Sequence, residues 1–204
     1  MSLSFRTAAV AALSFVAFPG VGFADITPIG PFTGQYSEPL NFSNTNISAS
    51  QPIFGGRARL DSHNGQTLIH LLLGSTLSGD PVTPRTGQYI LGWTEGPGVF
   101  VFPTPIVKFG SYWNNNSGVS NATVKFYDSG NVLLGMQTAI TPAPGNVWVW
   151  NGWESTTPVS RMVVEGSGIL NGFLWFDDLE IAQVPGPGGA VVLALGVLMR
   201  RWRR

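Results

Sequence analysis

The sequence contains no cysteine. This absence excludes disulfide bonds, zinc–thiolate sites and thiol nucleophiles, because each of these needs a cysteine sulfur. Any domain in the chain must therefore be held together by its apolar core, and a bound ion is the one further source of stabilisation that we consider.

Charge is also scarce: Asp, Glu, Lys and Arg make up 11% of the residues, against a usual share of roughly 25%. The zero net charge is unevenly distributed. Five of the eleven basic residues lie at the two ends of the chain, whereas residues 25–183 carry six basic and eleven acidic side chains, a net charge of −5. Nucleic-acid binding needs a basic stripe, so this composition predicts that nucleic acid is not a partner.

The common catalytic motifs are missing. The chain has no Gly-x-Ser-x-Gly elbow, no His-Glu-x-x-His pair and no Gly-x-x-x-x-Gly-Lys phosphate loop. Its two histidines are His63, in a turn-like segment, and His70, in an apolar run. We expect a surface position for the first and a hydrogen-bonded strand position for the second. The sequence therefore predicts that the protein is not an enzyme.

Glycine, proline and aromatic residues are abundant, with 26 Gly, 15 Pro, 7 Trp, 13 Phe and 4 Tyr. Disordered chains are poor in aromatic residues, so this composition predicts a folded domain with many turns. Short apolar or alternating runs predict nine strands: Gln66–Leu73, Gly87–Trp93, Val99–Phe102, Ile106–Trp113, Ala122–Tyr127, Val132–Gln137, Val147–Trp153, Val159–Glu165 and Leu170–Ala182. We expect an all-β fold, a single antiparallel β-sandwich of jelly-roll type over residues 25–183.

One hairpin is predicted in detail. Val124 and Phe126 alternate with Thr123 and Lys125, so the apolar pair is expected on the core face and the polar pair on the other. Residues 128–131 read Asp-Ser-Gly-Asn, and Gly and Asn tolerate the positive φ angles that hairpin turns need. The two strands should therefore pair directly across this turn.

The N-terminal residues 1–24 have the layout of a secretory signal peptide. Arg6 supplies the positive charge, and the apolar run Thr7–Phe18 is too short to span a membrane comfortably. Small residues before the junction predict cleavage between Ala24 and Asp25. The protein is therefore expected to be exported, and an uncleaved N-terminal anchor is the alternative.

The C-terminal residues 184–204 form three successive parts: a hinge, a short apolar helix and a cluster of positive charge. The hinge consists of Val184, Pro185, Gly186 and Pro187, the apolar run covers residues 188–199, and the charged tail holds Arg200, Arg201, Arg203 and Arg204. At 1.5 Å per residue the apolar run is short for roughly 30 Å of hydrocarbon. A permanent tail anchor, with a thinned bilayer and snorkelling arginines, is the alternative.

This tail resembles the PEP-CTERM sorting signal of exported bacterial proteins, in which a Val-Pro-Glu-Pro-like motif precedes a hydrophobic helix and a terminal Arg cluster. The resemblance implies an exosortase, a membrane-embedded transpeptidase, as partner. It also implies that the tail anchors the protein in the membrane, at least transiently, before release to the cell surface or extracellular matrix. Gly186 stands where the family usually has Glu, so the resemblance does not by itself establish cleavage.

The domain between the two end segments has a further resemblance. The hairpin around Asp128, a Trp-rich strand and the closing run 176–181, Phe-Asp-Asp-Leu-Glu-Ile, are similar to the jelly-roll ectodomains of PEP-CTERM proteins, which look like carbohydrate-binding modules. The resemblance implies a non-enzymatic surface or matrix protein that contacts extracellular polysaccharide or neighbouring cells. The alternative is a secreted, tail-anchored hydrolase or lyase acting on polysaccharide, with carboxylates among Glu154, Glu165 and Asp177.

Four tryptophans are candidate ligand residues: Trp113, Trp148, Trp150 and Trp153. An exposed indole can stack on the apolar face of a pyranose ring, and nearby asparagines can bond its hydroxyls. Trp148 and Trp150 share one face of their strand. The alternative is that these side chains fill the core, where tryptophan is usually found.

Asp177 and Asp178 form the most concentrated acidic cluster. With backbone carbonyls and Glu38 they offer the oxygen ligands that a structural calcium ion prefers, and no other cofactor is predicted. The alternative is that Asp177 bonds backbone amides while Asp178 faces water. Alternation in this last strand predicts that Leu179 and Ile181 point inward.

Overall fold

The computed structural model describes residues 25–41, 47–63, 69–76, 81–116, 121–141, 146–167 and 172–184. These residues form an all-β, antiparallel structure, as the sequence predicts, with one short 3-10 turn at Phe54–Gly56. The strands are β1 Ile26–Pro28, β2 Tyr36–Glu38, β3 Ile47–Ser48, β4 Ser50–Ile53, β5 Ala58–Ser62, β6 Ile69–Leu72, β7 Ile90–Trp93, β8 Gly98–Asn115, β9 Asn121–Tyr127, β10 Leu133–Ile140, β11 Val149–Gly166 and β12 Leu174–Gln183.

The signal peptide, residues 1–24, and nearly all of the sorting tail, residues 185–204, lie outside the described residues. The predictions for both therefore stay predictions. In the ranges that are described, no helix has the length and apolar character needed to cross a bilayer.

The long strands β8 and β11 organise the sheet. They pair with each other. On its other edge, each pairs with one strand along its first part and with a different strand along its last part. The first part of β8, residues 98–101, pairs with β5, and its later part pairs with β12. The last part of β11 pairs with β9, which in turn pairs with β10. One hydrogen-bonded network thus forms two layers: layer A, with β4, β5, β9 and β10, and layer B, with β1, β2, β12, β7, β6 and β3.

The predicted breaks within these two strands are wrong. The sequence predicts separate strands on either side of Pro103 and Pro105, and again around Pro158, but each region is one 18-residue strand. Proline lacks a backbone N–H and cannot complete a ladder. The chain accommodates the prolines by register shifts, between Glu154 and Val159 and between Val159 and Arg161 in β11, and does not end the strand there.

An aromatic core joins the layers. Phe100, from the layer A part of β8, contacts Phe176 of β12 with ring centroids 5.3 Å apart. Phe126 of β9 contacts Trp153, in the layer B part of β11, at 5.5 Å. Trp113 lies 4.6 Å from Phe176 and is completely buried. Edge-to-face contacts of this kind add to the free energy gained by burying the rings.

The predicted hairpin is confirmed. Leu133 pairs with Tyr127, and the turn between them contains Asn131 at a φ of +62°. Val124 and Phe126 are buried, whereas Thr123 on the opposite face is exposed. Local alternation therefore determines which face of this hairpin enters the core.

The predicted alternation in the last strand is also confirmed. Leu179 and Ile181 of β12 are fully buried, while Asp178 and Glu180 are half-buried on the outer face. Asp178 and Glu180 thus lie on the outside of layer B.

Candidate functional site

The outer face of layer B carries Trp150, whose indole lies against the sheet over two glycines. A Cβ atom at Gly110 would stand 2.2 Å from the Trp150 ring, and one at Gly152 would stand 2.7 Å from its Nε1. Only glycine leaves room for the ring at these two strand positions. The Nε1–H donates to the carbonyl oxygen of Ile29 at 3.0 Å, which fixes the ring's orientation.

Two further aromatic rings flank Trp150. Tyr112 is its direct partner across β8 and β11, and the two ring centroids are 5.2 Å apart. Phe32, from the segment between β1 and β2, meets the indole edge-on at 5.8 Å. All three side chains are half-buried. They form an apolar floor that solvent reaches from one side.

This floor lies at the base of an open groove of about 350 Å³. The polar groups around it come from residues 37–39, from Arg85, and from β12. We call it the Trp150 groove and define it by six of its lining residues: Phe32, Arg85, Tyr112, Trp150, Asp178 and Glu180. It therefore combines aromatic surface with charged groups of both signs.

Arg85 forms one wall of the groove. Its guanidinium lies 3.6 Å above the centre of the Tyr112 ring, a cation–π arrangement. Its Nη1 donates to Asp178, and the hydroxyl of Thr86 donates to the other oxygen of the same carboxylate. The segment that carries Arg85 is thus attached to β12 through Asp178.

Asp177 attaches the same segment from beneath. Its side chain is completely buried, and Oδ2 accepts the backbone N–H groups of Arg85 at 2.7 Å and Thr86 at 3.2 Å. Its Oδ1 accepts the N–H of Asp178 at 2.7 Å, where the backbone has a φ of +47°. Burial, the largest influence, raises the pKa of Asp177 from 3.8 to about 6, although the three N–H groups favour the charged form.

Asp177 makes the backbone contacts that the alternative to the calcium prediction describes, but Asp178 does not simply face water. Both oxygens of Asp177 accept backbone amides, and Asp178 forms an ion pair with Arg85. Glu38 uses both oxygens as well, accepting the N–H groups of Leu40 at 3.1 Å and Phe54 at 2.7 Å. Within the described ranges, no three acidic or histidine side chains come together as a metal-binding group.

The four candidate tryptophans divide into three groups. Trp113 and Trp153 are 0% and 3% exposed, so they belong to the core, and neither presents a face to a ligand. Trp148 is half-buried and donates to the carbonyl oxygen of Thr83 at 3.1 Å. It packs against a small cluster formed by Val82, Ile90 and Trp175. Trp150 is the candidate that lines the groove.

Glu180 lines the groove from β12, the strand to which Asp178 attaches the Arg85 segment. Its Oε2 accepts the N–H of Gly34 at 2.8 Å and the hydroxyl of Ser37 at 2.7 Å. The bond to Gly34 attaches the segment before β2 to β12, and the bond to Ser37 adds a side-chain link between β2 and β12. Among the described residues, no hydrogen bond reaches its Oε1.

The three carboxylates named for the enzyme alternative lie in different parts of the structure, and each has its own polar partners. Glu154 pairs with Lys108 at 3.2 Å on layer B, and Glu165 pairs with Lys125 at 3.0 Å on the part of β11 that joins β9. Asp177 lies under the Arg85 segment.

His70 is 8% exposed and contacts Thr94, and burial lowers its pKa.

Four groove residues have no counterpart among the sequence-based candidates: Phe32, Arg85, Tyr112 and Glu180. Tyr112 adjoins the candidate Trp113, but strand alternation places the two on opposite faces. That alternation is a signal that would have favoured Tyr112 for the outer face once Trp113 was assigned to the core. Nothing local in the sequence connects Phe32, Arg85 and Glu180.

No protein-family model and no curated protein matches the sequence. Among solved structures, the K2 cleaved adhesin domain of Lys-gingipain is similar, with 13% identity and a TM-score of 0.47 over 72% of this chain and 98% of that one. A DUF4465 family protein from Bacteroides caccae is 10% identical, with a TM-score of 0.47 over 84% and 97%. The CBM22-1 xylan-binding domain of Paenibacillus barcinonensis Xyn10C is 13% identical, with a TM-score of 0.37 over 76% and 100%.

Proposed function

We propose that the chain is a non-enzymatic, exported surface or matrix protein whose β-sandwich, of jelly-roll type, binds polysaccharide in the Trp150 groove. The observation that carries this proposal is the combination of groups in one groove. Trp150, Tyr112 and Phe32 offer apolar ring surface, and Asp178 and Glu180 offer acceptors beside it. A pyranose ring has an apolar face and a rim of hydroxyls, so it needs both kinds of surface.

Arg85 supplies donors in the same place. Its Nη1 is used by Asp178, whereas in the described part of the chain its Nε and Nη2 donate to no other residue. The Arg85 guanidinium is held over the Tyr112 ring and by Asp178, so it loses little freedom when it donates to a ligand. The groove thus presents fixed donors, acceptors and ring surface together.

Replacing Trp150 with alanine is expected to weaken polysaccharide binding by about tenfold or more, because the central ring of the floor is lost. The measurement is retention of the purified full-length chain on immobilised polysaccharide from its own cells and on a panel of neutral, acidic and amine-bearing polymers. Titration calorimetry on any polymer that binds then gives the affinity.

The matched control is Tyr127→Ala. Tyr127 also has an arginine over its ring, Arg161 at 4.2 Å, but it lies on the layer A part of the sheet. This variant should bind as the unmodified chain does. Equal binding by Trp150→Ala and the unmodified chain would remove the groove from the proposal, and turnover of a panel polymer would revive the enzyme alternative.

Export and sorting by an exosortase-type enzyme form the second part of the proposal. It rests on the order of signal peptide, hinge, apolar run and Arg cluster in the sequence. Intact mass spectrometry of protein recovered from its native cell surface should give a chain that starts at Asp25 and ends within residues 184–188. A mass that includes Arg204 would instead identify a permanent tail anchor.

A further inference from the structure

The charges around the Trp150 groove are unbalanced. Three carboxylates line it, those of Glu38, Asp178 and Glu180, together with one cation, Arg85. Arg85 and Asp178 form an ion pair and offset one another. The charges of Glu38 and Glu180 remain, so the groove is negative.

Neither remaining carboxylate has a cationic partner among the described residues. Glu38 is 8% exposed, and its oxygens accept backbone N–H groups. Glu180 accepts a backbone N–H and a serine hydroxyl through Oε2. Amide and hydroxyl dipoles stabilise a carboxylate without cancelling its net charge.

Two other basic side chains of the described residues, Lys108 and Arg57, do not line the groove and make contacts of their own. Lys108, on the same outer face of β8, pairs with Glu154. Arg57 lies 4.5 Å above the ring of Tyr36 and donates to the carbonyl oxygen of Phe54. A cationic ligand in the groove would therefore meet the negative potential of Glu180. The net charge of −5 carried by residues 25–183 adds to this potential.

We infer that the groove selects its polysaccharide by charge and takes an amine-bearing glycan in preference to a neutral or acidic one. This inference rests on the proposed function. A protonated sugar amine would pair with the Oε1 side of Glu180 while the ring lies on Trp150, and a uronate carboxylate would be repelled by the same group. Glu180 is thereby the residue that determines specificity.

The test compares three hexasaccharides of equal length with the full-length chain by titration calorimetry: glucosamine, N-acetylglucosamine and galacturonic acid. The solution is slightly acidic, so that the sugar amines are largely protonated. The glucosamine hexamer should bind about fivefold more tightly than the N-acetylated one. This advantage should shrink between about 50 mM and about 500 mM salt, since salt screens partly exposed charges.

Glu180→Gln removes the charge and keeps an oxygen acceptor for Gly34 and Ser37. It should lower affinity for the glucosamine hexamer about threefold or more, and by a clearly larger factor than it lowers affinity for the N-acetylated hexamer. Glu165→Gln is the matched control, since it removes the same charge from another part of the sheet, where Glu165 pairs with Lys125. This control should change neither affinity.

Equal or tighter binding of the neutral or acidic hexamer would overturn the inference and leave polysaccharide binding standing. Equal losses in Glu180→Gln and Glu165→Gln would also overturn it, because net charge would then explain the preference. If none of the three hexamers binds, the inference is overturned. If no polymer of the wider panel binds either, the proposed function is overturned with it.

Discussion

Replacing Trp113 with alanine is expected to lower the free energy of unfolding by about 3–5 kcal/mol. Trp113 is completely buried where β8, β11 and β12 meet. Its ring contacts Phe176 at 4.6 Å and Trp153 at 5.8 Å. Alanine would leave a cavity beneath layer B. The two neighbouring rings would lose their van der Waals contacts with the indole, and no other atoms would replace those contacts.

Urea unfolding followed by circular dichroism measures this loss. Trp148→Ala is the matched control, because Trp148 is half-buried on the outer face and should cost only about 1–2 kcal/mol. If Trp113→Ala does not fold, Trp113→Phe keeps most of the ring and should show a smaller loss of the same sign. Unchanged unfolding together with lost polysaccharide binding would return Trp113 to the set of ligand residues.

The free energy of unfolding is expected to be about 2 kcal/mol higher at pH 4 than at pH 7.5 through Asp177 alone. Burial raises the pKa of this carboxyl from 3.8 to about 6. The folded state therefore holds the proton more tightly than the unfolded chain does. The added stability is complete below the unfolded pKa and is lost as the pH rises through 6.

Asp177→Asn isolates this contribution. Asparagine keeps one oxygen to accept the N–H groups of Arg85 and Thr86, but it does not titrate. The difference in unfolding free energy between the variant and the unmodified chain should change by about 2 kcal/mol between the two pH values. Carboxyls that do not interact with Asp177 are present in both proteins, and their contributions cancel. A difference that stays constant with pH would show that Asp177 titrates normally.

Much of the strand content follows from local sequence. The hairpin of β9 and β10 needs only alternation at Val124 and Phe126 and a turn that tolerates positive φ at Asn131. The inward positions of Leu179 and Ile181 in β12 follow from the same period-two rule. These features depend on neighbours within a few residues, and such neighbours are visible in the sequence.

The continuity of β8 and β11 was not predictable in the same way. Pro103, Pro105 and Pro158 indicate strand ends locally, yet each strand continues because its flanks are paired on both sides with other strands. The short strands before residue 63 were also missed. They are two to five residues long and contribute little pattern of their own.

The amino-acid sequence by itself determined the β class, the hairpin, the faces of the last strand and the acidic charge of the domain. It also carries the two end segments that predict export. Only the tertiary structure decided which aromatic residues face outward. It placed Trp113 and Trp153 in the core and Trp150 in the groove, and it added Arg85 and Glu180 from distant segments. Pairing between strands far apart in the chain sets these positions, and no local pattern encodes a contact between residues more than a hundred positions apart, such as Gly34 and Glu180.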